Sequence, residues 1–450
     1  MPSRSHRLIN CVIALAVIVV IPACSFKTGG FDISEKLSEI PDGVFYVDPK
    51  TSMGEISPLV YGVNHGPWAF LNEEIIPLAQ DAGLTLIRFP GGNWGDENDL
   101  QTYHIDQFVA QARQLDCEVF INVRLYKGTP EKAADLVRYA NIEKGYEVKY
   151  WGIGNEPTLY VTSRKEPDYG VERFNQEWHE IAEAMKSVDP SILLIGPELH
   201  QFGSSLQNTP KDPFGMDWMT EFLKSNGDLV DIISIHRYPY PQGGGGRAAT
   251  IGELSKASSE WDLILPYLRS LIEEHSGRNI PIAVTEVNSH WSNAVGGEAS
   301  PDSFYNAVWW SDVLGRMIFN RVEMVTYFSL QSNPSIGGYG LFSRSGARPT
   351  YYAYKMYQQF GTKLVFSGTK EAQVGVYAAL DPDKVLTVML VNLSPDNITR
   401  PLVIEGRSRE LLEVWILDTD HMAEQLDASQ ITSLAELELP AQSVTLLKFR

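Results

Sequence analysis

The sequence predicts an α/β protein in which a (β/α)8 barrel of the TIM type is followed by a smaller C-terminal antiparallel β-sandwich. Eight apolar, strand-like runs lie between residues 60 and 328, and most of the gaps between them contain an amphipathic helical pattern. Past residue 365 the pattern changes to short strands separated by turn signals, as expected of a sandwich. A chain of 450 residues is long enough for two such domains.

The eight runs follow one another as βα units, a spacing that favours a closed barrel over an open doubly wound sheet. The runs are Val60–Asn64, Leu84–Phe89, Val119–Val123, Tyr150–Gly154, Ile192–Ile195, Ile232–Ile235, Ile282–Thr285 and Val322–Phe328. The clearest predicted helices are Ile105–Leu115, Glu131–Ala140, Val171–Val188, Trp261–His275 and Phe304–Phe319. No Gly-x-Gly-x-x-Gly fingerprint follows the first run, which disfavours a dinucleotide-binding fold. The glycine run at 243–246 is interpreted as a flexible loop at the barrel top.

The predicted barrel domain covers residues 43–365 and the predicted sandwich covers residues 366–450. Phe45–Asp48 precedes the barrel and is interpreted as one more strand, able to pair with the sandwich. The predicted strands of the sandwich are Val374–Leu380, Val385–Leu393, Arg400–Ile404, Leu411–Ile416 and Val444–Phe449.

The first 24 residues have the pattern of a targeting segment. Arg4 and Arg7 precede the apolar run Leu8–Ile21, which is shorter than the ~20 residues that a membrane-spanning helix needs. Ile21–Cys24 resembles a bacterial lipobox, in which the cysteine is lipidated, although Pro22 is unusual there. We therefore expect a lipoprotein of the bacterial cell envelope, anchored at Cys24 through a polar tether at 25–42. An ordinary cleaved signal peptide and an uncleaved anchor are the alternatives.

The composition limits the classes of function. Hydrophobic residues make up 44% and charged residues 21% of the chain, so neither wholesale disorder nor a multi-span membrane protein is expected. The formal net charge is −19 and no Lys/Arg-rich run is present, so nucleic acid is not an expected partner. With Cys11 in the signal and Cys24 lipidated, Cys117 is left alone, as a small core residue without a disulfide.

Catalytic groups of such barrels project from the C-terminal ends of the strands. The fourth run is followed by Asn155-Glu156-Pro157 and the seventh ends in Thr285-Glu286. Two carboxylates across a barrel mouth suit glycoside hydrolysis, in which one protonates the leaving oxygen and the other attacks the anomeric carbon. This reaction requires the two carboxyl groups to have different pKa values, so that the acid is protonated near neutral pH while the nucleophile is ionised.

These motifs, in register with the strands, resemble the clan A glycoside hydrolases, the retaining "4/7" superfamily. Arg88-Phe89-Pro90-Gly91-Gly92-Asn93 and the C-terminal sandwich extend the resemblance over the whole mature chain. They are similar to the arabinofuranosidase, β-xylosidase, β-glucuronidase/heparanase and xyloglucanase-like endoglucanase branches of that clan.

The resemblance implies roles for individual residues. Glu156 would be the acid/base and Glu286 the nucleophile. Asn155 would bond the 2-hydroxyl of the sugar. Arg88 would lie beneath Glu286 and keep it ionised, since a nearby positive charge lowers a carboxyl pKa.

Further residues of the sugar site follow from the same resemblance. His236 and Tyr238 are similar to a sixth-strand pair that lines the site, where the tyrosine hydroxyl donates to the nucleophile. One departure is that the eighth strand ends Phe328-Ser329-Leu330-Gln331, without the tryptophan that many clan members carry as the floor of the −1 subsite. The identity of the sugar is therefore left open.

Several aromatic residues follow strand ends, where they either stack on sugar rings or belong to the core. They are Trp68, Trp94, Tyr126, Tyr160 and Trp291. We assign Trp94 and Trp291 to substrate binding. Arg124 and Lys127 are candidates for an acidic sugar, with solvated surface residues as the equal alternative.

Other chemistries are disfavoured. His179 and Glu183 share a helix face, but no His-Glu-x-x-His motif or thiolate cluster is present, so neither a metal nor another cofactor is expected. The Gly-x-Ser-x-Gly motif is also missing, which disfavours a hydrolase with a Ser-His-Asp triad. The sequence therefore predicts a retaining glycoside hydrolase acting on a polysaccharide or oligosaccharide. The alternative is a surface lipoprotein that binds carbohydrate on the same fold without catalysis, although such a binder has no need of two carboxylates facing across one cleft.

Overall fold

The structure is a computed structural model that describes residues 27–28, 31–69, 71–241, 247–292, 295–332 and 338–450. The predicted signal with Cys24, and the glycine run at 243–246, lie outside the described residues. Among the residues that are described, no helix is both long and apolar enough to cross a membrane.

The described chain begins with two short paired strands, β1 (Lys27–Thr28) and β2 (Phe31–Asp32), and a helix, α1 (Ile33–Glu39). Ile33 and Ile40 are buried, and Lys36 forms an ion pair with Asp48 at 2.7 Å. The predicted tether at 25–42 therefore includes folded chain from Ile33 onward, because the apolar residues of this short helix pack on the body of the protein.

Eight parallel strands close into a barrel in the order β10-β11-β4-β5-β6-β7-β8-β9. The long strand β3 (Phe45–Glu55) precedes them and is not part of the barrel. The barrel strands are β4 (Gly62–Asn64), β5 (Leu86–Phe89), β6 (Glu118–Val123), β7 (Tyr150–Ile153), β8 (Leu193–Leu199), β9 (Ile232–Arg237), β10 (Ile282–Val287) and β11 (Met324–Tyr327). They coincide in place with the eight predicted runs, so the barrel prediction is confirmed.

Helices lie in the segments that follow the barrel strands. They are α2 (Ile76–Asp81), α3 (Trp94–Glu97), α4 (Thr102–Gln114), α5 (Pro130–Val137), α6 (Tyr160–Ser163), α7 (Val171–Val188), α8 (Trp218–Asn226), α9 (Ile251–Ala257), α10 (Trp261–Ser276), α11 (Phe304–Phe319) and α12 (Pro349–Tyr357). Local capping sets their ends: the Thr129 side chain caps α5 with proline in its first turn, and α10 ends at Gly277 with φ 65°. After α5 the chain continues as a π-helical segment, Arg138–Glu143.

The barrel interior changes from apolar to polar along the strands. One apolar layer lies near the strand beginnings and consists of Leu59, Leu86, Phe120, Tyr150, Ile195, Ile232, Ala283 and Met324. Because strand side chains alternate with a period of two, the next inward positions on several strands are two residues further on. These positions are polar and fully or almost fully buried: Arg88, Asn122, Ser234, Thr285 and Thr326. A polar layer therefore lies directly above the apolar plug.

The second domain is a sheet of eight strands in the order β16-β3-β12-β13-β14-β20-β17-β18, with a separate two-stranded sheet, β15-β19. Its strands are β12 (Lys363–Gly368), β13 (Val374–Leu380), β14 (Leu386–Asn392), β15 (Ile398–Arg400), β16 (Leu402–Ile404), β17 (Leu411–Leu417), β18 (Glu424–Leu426), β19 (Leu437–Leu439) and β20 (Ser443–Phe449). All pairs are antiparallel except β16 with β3, so the smaller domain is a mostly antiparallel sheet domain. Strand β3 pairs along β12, and the predicted boundary near residue 365 falls inside β12.

The large sheet is buried on both faces. In β13, Val374, Val376 and Ala378 contribute to a core shared with β15 and β19, whereas Tyr377 and Ala379 belong to the main core with the barrel helices. This double burial explains why these strands are continuous apolar runs rather than alternating ones.

A buried polar contact joins the two domains at α11. The Tyr377 hydroxyl donates to Asp312 Oδ1 at 2.6 Å, and Arg316 Nε donates to Asp312 Oδ2 at 2.7 Å. Asp312 is fully buried, so its carboxylate depends on these donors in place of water.

We predict that Tyr377→Phe lowers the free energy of unfolding by about 1–3 kcal/mol, because it removes a donor from a buried carboxylate. Tyr352→Phe is the control, since within the described residues its hydroxyl has no hydrogen bond. Chemical denaturation measures both. Equal effects of the two substitutions would show that the Asp312 contact does not stabilise the domain interface.

Candidate active site

The buried guanidinium of Arg88, at the end of β5, is the centre of the barrel mouth. Its Nη1 donates to Asn64 Oδ1 at 2.8 Å and to Glu286 Oε1 at 2.9 Å. Its Nη2 donates to Asn155 Oδ1 at 2.9 Å and to Glu198 Oε2 at 3.0 Å. Four strands, β4, β7, β8 and β10, therefore converge on one cation through side chains at or just beyond their C-terminal ends.

Glu286, on β10, is held by donors on both of its oxygens. Oε1 accepts from Arg88 and from the backbone N–H of Gly92 at 2.9 Å. Oε2 accepts from the Tyr238 hydroxyl at 2.8 Å. Arg88 and Tyr238 thus make the contacts with Glu286 that the resemblance implied, and Gly92 adds a backbone donor.

Glu156 follows β7 in a left-handed backbone conformation, with φ 49° and ψ 53°. A non-glycine residue in this region is typically strained by ~1–3 kcal/mol and persists only where its surroundings hold it. The Glu156 N–H donates to the Glu198 carbonyl at 3.1 Å, and the preceding Asn155 N–H donates to Asp96 Oδ2 at 2.8 Å. These two contacts aim the Glu156 side chain into the mouth.

Asp96, on α3, is an organiser of this region. It is almost fully buried, and its Oδ1 accepts from the backbone N–H groups of Leu125 and Tyr126 at 2.9 and 3.2 Å. The Tyr160 hydroxyl also donates to Asp96. Burial raises the pKa of Asp96. The backbones after β6 and β7 are therefore fixed by one side chain.

His236, on β9, lies between two carboxylates. Nδ1 is 3.0 Å from Glu156 Oε1, and Nε2 is 2.7 Å from Glu198 Oε2. Burial acts to lower the pKa of His236, but the three surrounding carboxylates outweigh it and raise this pKa to about 9. The imidazole is fully buried and lies between the carboxylates of Glu156 and Glu198.

The same contact changes the expected state of Glu156. Burial acts to raise the pKa of this carboxyl, but the hydrogen bond and the charge of His236 outweigh burial, so the pKa lies below its usual value. This direction is opposite to the one expected of an acid that is protonated near neutral pH. The physical reason is the imidazole of His236, whose Nδ1 lies 3.0 Å from Glu156 Oε1.

The two glutamates are close to each other. One oxygen of Glu156, one nitrogen of His236 and one oxygen of Glu286 all lie within 4.8 Å of one another. Atoms of these types at this spacing could hold a small metal ion. Each ring nitrogen of His236 already lies within hydrogen-bond distance of a carboxylate oxygen, Nδ1 at 3.0 Å from Glu156 Oε1 and Nε2 at 2.7 Å from Glu198 Oε2, so both nitrogens have partners. The donor set therefore fits proton transfer better than metal binding.

The predicted aromatic platforms differ in their surroundings. Trp291 is 47% exposed, and its indole N–H donates to the Pro241 carbonyl at 3.3 Å. Trp94 is half-buried, with its ring against His104 at 5.3 Å between centroids. Tyr160 is buried in the core on Asp96, so it is not a platform.

Phe328 stands at the end of β11, where many clan members carry tryptophan. Its ring lies 6.2 Å from Trp68, 6.4 Å from Tyr238 and 5.5 Å from Tyr339. Phe328 and Trp68 are partly exposed. This cluster gives the mouth an apolar wall beside Glu286.

The residues considered for binding an acidic sugar, Arg124 and Lys127, and those considered for a metal, His179 and Glu183, contact other side chains of the protein. Arg124 pairs with Asp99 at 3.1 Å, and Lys127 lies over the Tyr126 ring at 4.9 Å. His179 and Glu183 form a solvated pair at 3.4 Å on α7.

Sequence reasoning missed two buried carboxylates, Glu198 and Asp96. The predicted fifth strand stopped at Ile195 because Gly196-Pro197 reads as a strand end, whereas β8 continues through an irregularity to Leu199. A charged residue three positions beyond a strongly apolar run was the available signal for Glu198. Asp96 lies in a polar segment and carried no comparable signal.

Comparisons with known proteins bear on this geometry. No family model matches the chain. An intracellular exo-α-(1→5)-L-arabinofuranosidase of Streptomyces lividans is 24% identical over 259 residues, 44% of this chain and 37% of that protein. Endoglucanase A of Paenibacillus lautus is 31% identical over 129 residues, 24% of this chain and 18% of that protein. In both cases the chain spans well under half of the relative's length.

Solved structures of glycoside hydrolases share the fold. The α-L-arabinofuranosidase from Thermotoga maritima, in complex with arabinose, matches with a TM-score of 0.70 at 18% identity, over 90% of this chain and 99% of that chain. A Paenibacillus polymyxa xyloglucanase from glycoside hydrolase family 44 also matches with a TM-score of 0.70 at 18% identity, over 90% of this chain and 99% of that chain. The resemblance to clan A glycoside hydrolases is confirmed. Both of these clan A structures support the barrel with its sheet domain.

We predict that Arg88→Met lowers the free energy of unfolding by about 3–5 kcal/mol, because it leaves Glu198 and Glu286 buried without their cation. Arg124→Met removes a partly exposed partner of Asp99 and should cost only about 0–1 kcal/mol apart from packing. Thermal and denaturant unfolding of both variants measures the difference. A small loss in Arg88→Met would mean that the buried carboxylates take up protons at no large energetic cost.

Proposed function

We propose that this protein is a retaining glycoside hydrolase that cleaves a polysaccharide or oligosaccharide by double displacement. The observation that carries the proposal is the approach of Glu156 and Glu286 to within 4.8 Å at the closest oxygens. Retaining enzymes hold their carboxyl groups ~5–5.5 Å apart, whereas inverting enzymes need ~6.5–9.5 Å to admit a water molecule. The relatives, named as arabinofuranosidases and an endoglucanase, support glycosidase activity in general.

In the first step Glu286 attacks the anomeric carbon while Glu156 protonates the leaving oxygen. Arg88, Gly92 N–H and Tyr238 hold both oxygens of Glu286, so the nucleophile enters the reaction in a fixed orientation. Asn155 Oδ1 accepts from Arg88, and its amide nitrogen donates one hydrogen to Asn93 Oδ1 at 3.4 Å, so the second amide hydrogen is the proposed donor to the sugar 2-hydroxyl.

In the second step Glu156 acts as a base. It takes a proton from water, and the water oxygen attacks the anomeric carbon and displaces Glu286. The lowered pKa of Glu156 suits this role, because a base must be ionised to accept the proton.

The names of the relatives indicate only a class of substrate, the glycosides of polysaccharides and oligosaccharides. The Streptomyces lividans relative is named for α-(1→5)-arabinofuranosides and the Paenibacillus polymyxa structure for xyloglucan hydrolysis. We therefore propose L-arabinofuranosides and β-glucans as the first substrates to test. Trp291 and Phe328 are proposed to contact the sugars through their ring faces.

We predict that Glu286→Ala abolishes turnover of every accepted glycoside, because no other group can form the glycosyl-enzyme bond. External azide should restore cleavage and give the inverted glycosyl azide, identified by NMR. Glu274→Ala, on the outer helix α10, is the control and should keep wild-type activity. Full activity in Glu286→Ala would place the nucleophile elsewhere.

Glu156→Ala should behave differently, because the nucleophile remains. Dinitrophenyl glycosides need no protonation and should still glycosylate the enzyme in a burst, with azide releasing the product in retained configuration. On substrates with poor leaving groups the rate should fall by about 10²–10⁴-fold. Azide products of the opposite configuration in the two variants would exchange the assigned roles.

We also propose that the protein is a cell-envelope lipoprotein, on the strength of the Ile21–Cys24 motif. Cys24→Ala should then release it from membranes into the soluble fraction, which fractionation and immunoblotting measure. A single acyl chain binds only marginally, so firm anchoring implies several chains. Unchanged membrane association of the variant would indicate an uncleaved anchor. Several relatives are named as intracellular proteins, and that description is theirs.

A further inference from the structure

Glu198 is a third carboxylate at the barrel mouth, fully buried at the end of β8. Its Oε2 accepts three hydrogen bonds, from Arg88 at 3.0 Å, from His236 Nε2 at 2.7 Å and from the Thr285 hydroxyl at 2.8 Å. Burial acts to raise the pKa of Glu198, but the charges of Arg88 and His236 outweigh burial and hold this pKa below its usual value. The carboxylate therefore lies on the far side of the imidazole from Glu156, and its two cationic neighbours favour its ionised form.

The backbone of Glu198 is tied to the same machinery. It adopts a left-handed conformation with φ 58°, and its N–H donates to Ser234 Oγ at 2.9 Å. Its carbonyl accepts the Glu156 N–H at 3.1 Å. Glu198 therefore contacts the acid/base by its backbone and the imidazole by its side chain. Strain at such a position is typical of functional sites.

The groups that face His236 come from every neighbouring strand. Glu156 follows β7, Glu198 ends β8, and Glu286 Oε2 on β10 is 3.8 Å from His236 Nδ1. Arg88 on β5 is paired with two of these carboxylates. The other positive groups nearby are Arg237, which is paired with Glu260, and His200, whose pKa is lowered by burial.

We propose that Glu198 is a positioning residue that keeps His236 doubly protonated, so that the proton for the acid step is stored on His236 Nδ1, in direct contact with Glu156. This inference rests on the proposed function for its catalytic part only. It assigns the acid step to a Glu156–His236 pair that holds one transferable proton.

The Glu156–His236 pair gives up one proton in the first step and regains one in the second. In the first step the Nδ1–H bond breaks and a proton passes to Glu156, which leaves a neutral imidazole. Glu156 then gives that proton to the leaving oxygen, which takes the electron pair of the breaking bond to the anomeric carbon. In the second step Glu156 takes a proton from water and returns it to Nδ1, so the pair ends as it began.

Glu198→Gln is the appropriate variant, because it removes the charge and keeps the shape. All three donors use Oε2, and Oε1 is buried with no hydrogen-bond partner among the described residues. An amide with its oxygen at the Oε2 position therefore retains every contact. Glu260→Gln is the matched control, since it removes a carboxylate that pairs with Arg237, next to His236, without touching the imidazole.

The measurement is the pH dependence of kcat/KM for a glycoside with a poor leaving group. In Glu198→Gln the alkaline limb should move toward acid by about 1–3 pH units, because a carboxylate within hydrogen-bond distance raises the pKa of its partner by this amount. Glu260→Gln should leave the limb where it is in the wild type. A limb that stays in place in Glu198→Gln, with normal folding by circular dichroism, would overturn the proposal.

A second measurement depends neither on turnover nor on whether Glu198→Gln folds. Nitrogen NMR of the wild-type protein, labelled at histidine and assigned with His236→Asn, should show both ring nitrogens of His236 protonated up to about pH 9. A neutral ring at pH 7 would overturn the inference even if the enzyme is active. A wild-type protein that hydrolyses no glycoside would instead overturn the proposed function, while the NMR result still decides the state of His236.

Discussion

The contact on which the site depends is the one between the buried guanidinium of Arg88 and the carboxylates around it. Two cations, Arg88 and His236, lie among three carboxylates at the barrel mouth, all of them largely or fully removed from water. Such charges are tolerated in a protein interior only when each has a partner of opposite sign and hydrogen bonds to its remaining donors or acceptors.

The barrel supplies this arrangement through strand periodicity. Arg88 and Thr285 follow the apolar plug residues Leu86 and Ala283 by two positions, so the same inward face is apolar below and polar above. The apolar layer keeps water away from the polar layer from below, which strengthens the electrostatic contacts above it. Asp96 and Glu198 then fix the loop backbones from which Glu156 projects.

Much of this could be predicted from sequence, because strong apolar runs mark the barrel strands and polar residues close them. The prediction failed where local signals mislead. Asp48-Pro49 reads as a turn, yet β3 continues to Glu55 because it is paired with β12 through two irregularities. Gly196-Pro197 is typical of a strand end, so the predicted strand stopped before Glu198, although β8 continues to Leu199. The burial of His236 depends on packing among three strands, which no local pattern encodes.

The surroundings of Glu156 suit both halves of the proposed double displacement. A carboxyl kept neutral by burial alone would be ready to act as an acid but poorly suited to act as a base. In the proposed pair the neighbouring imidazole holds the transferable proton, and the lowered pKa of Glu156 favours the ionised form that the base step requires. When a sugar fills the mouth and displaces water, the ionised pair loses solvation, and the neutral arrangement, with the proton on Glu156, becomes less costly. In the proposed mechanism, substrate binding therefore favours the acid form of Glu156 at the step in which the leaving oxygen needs a proton.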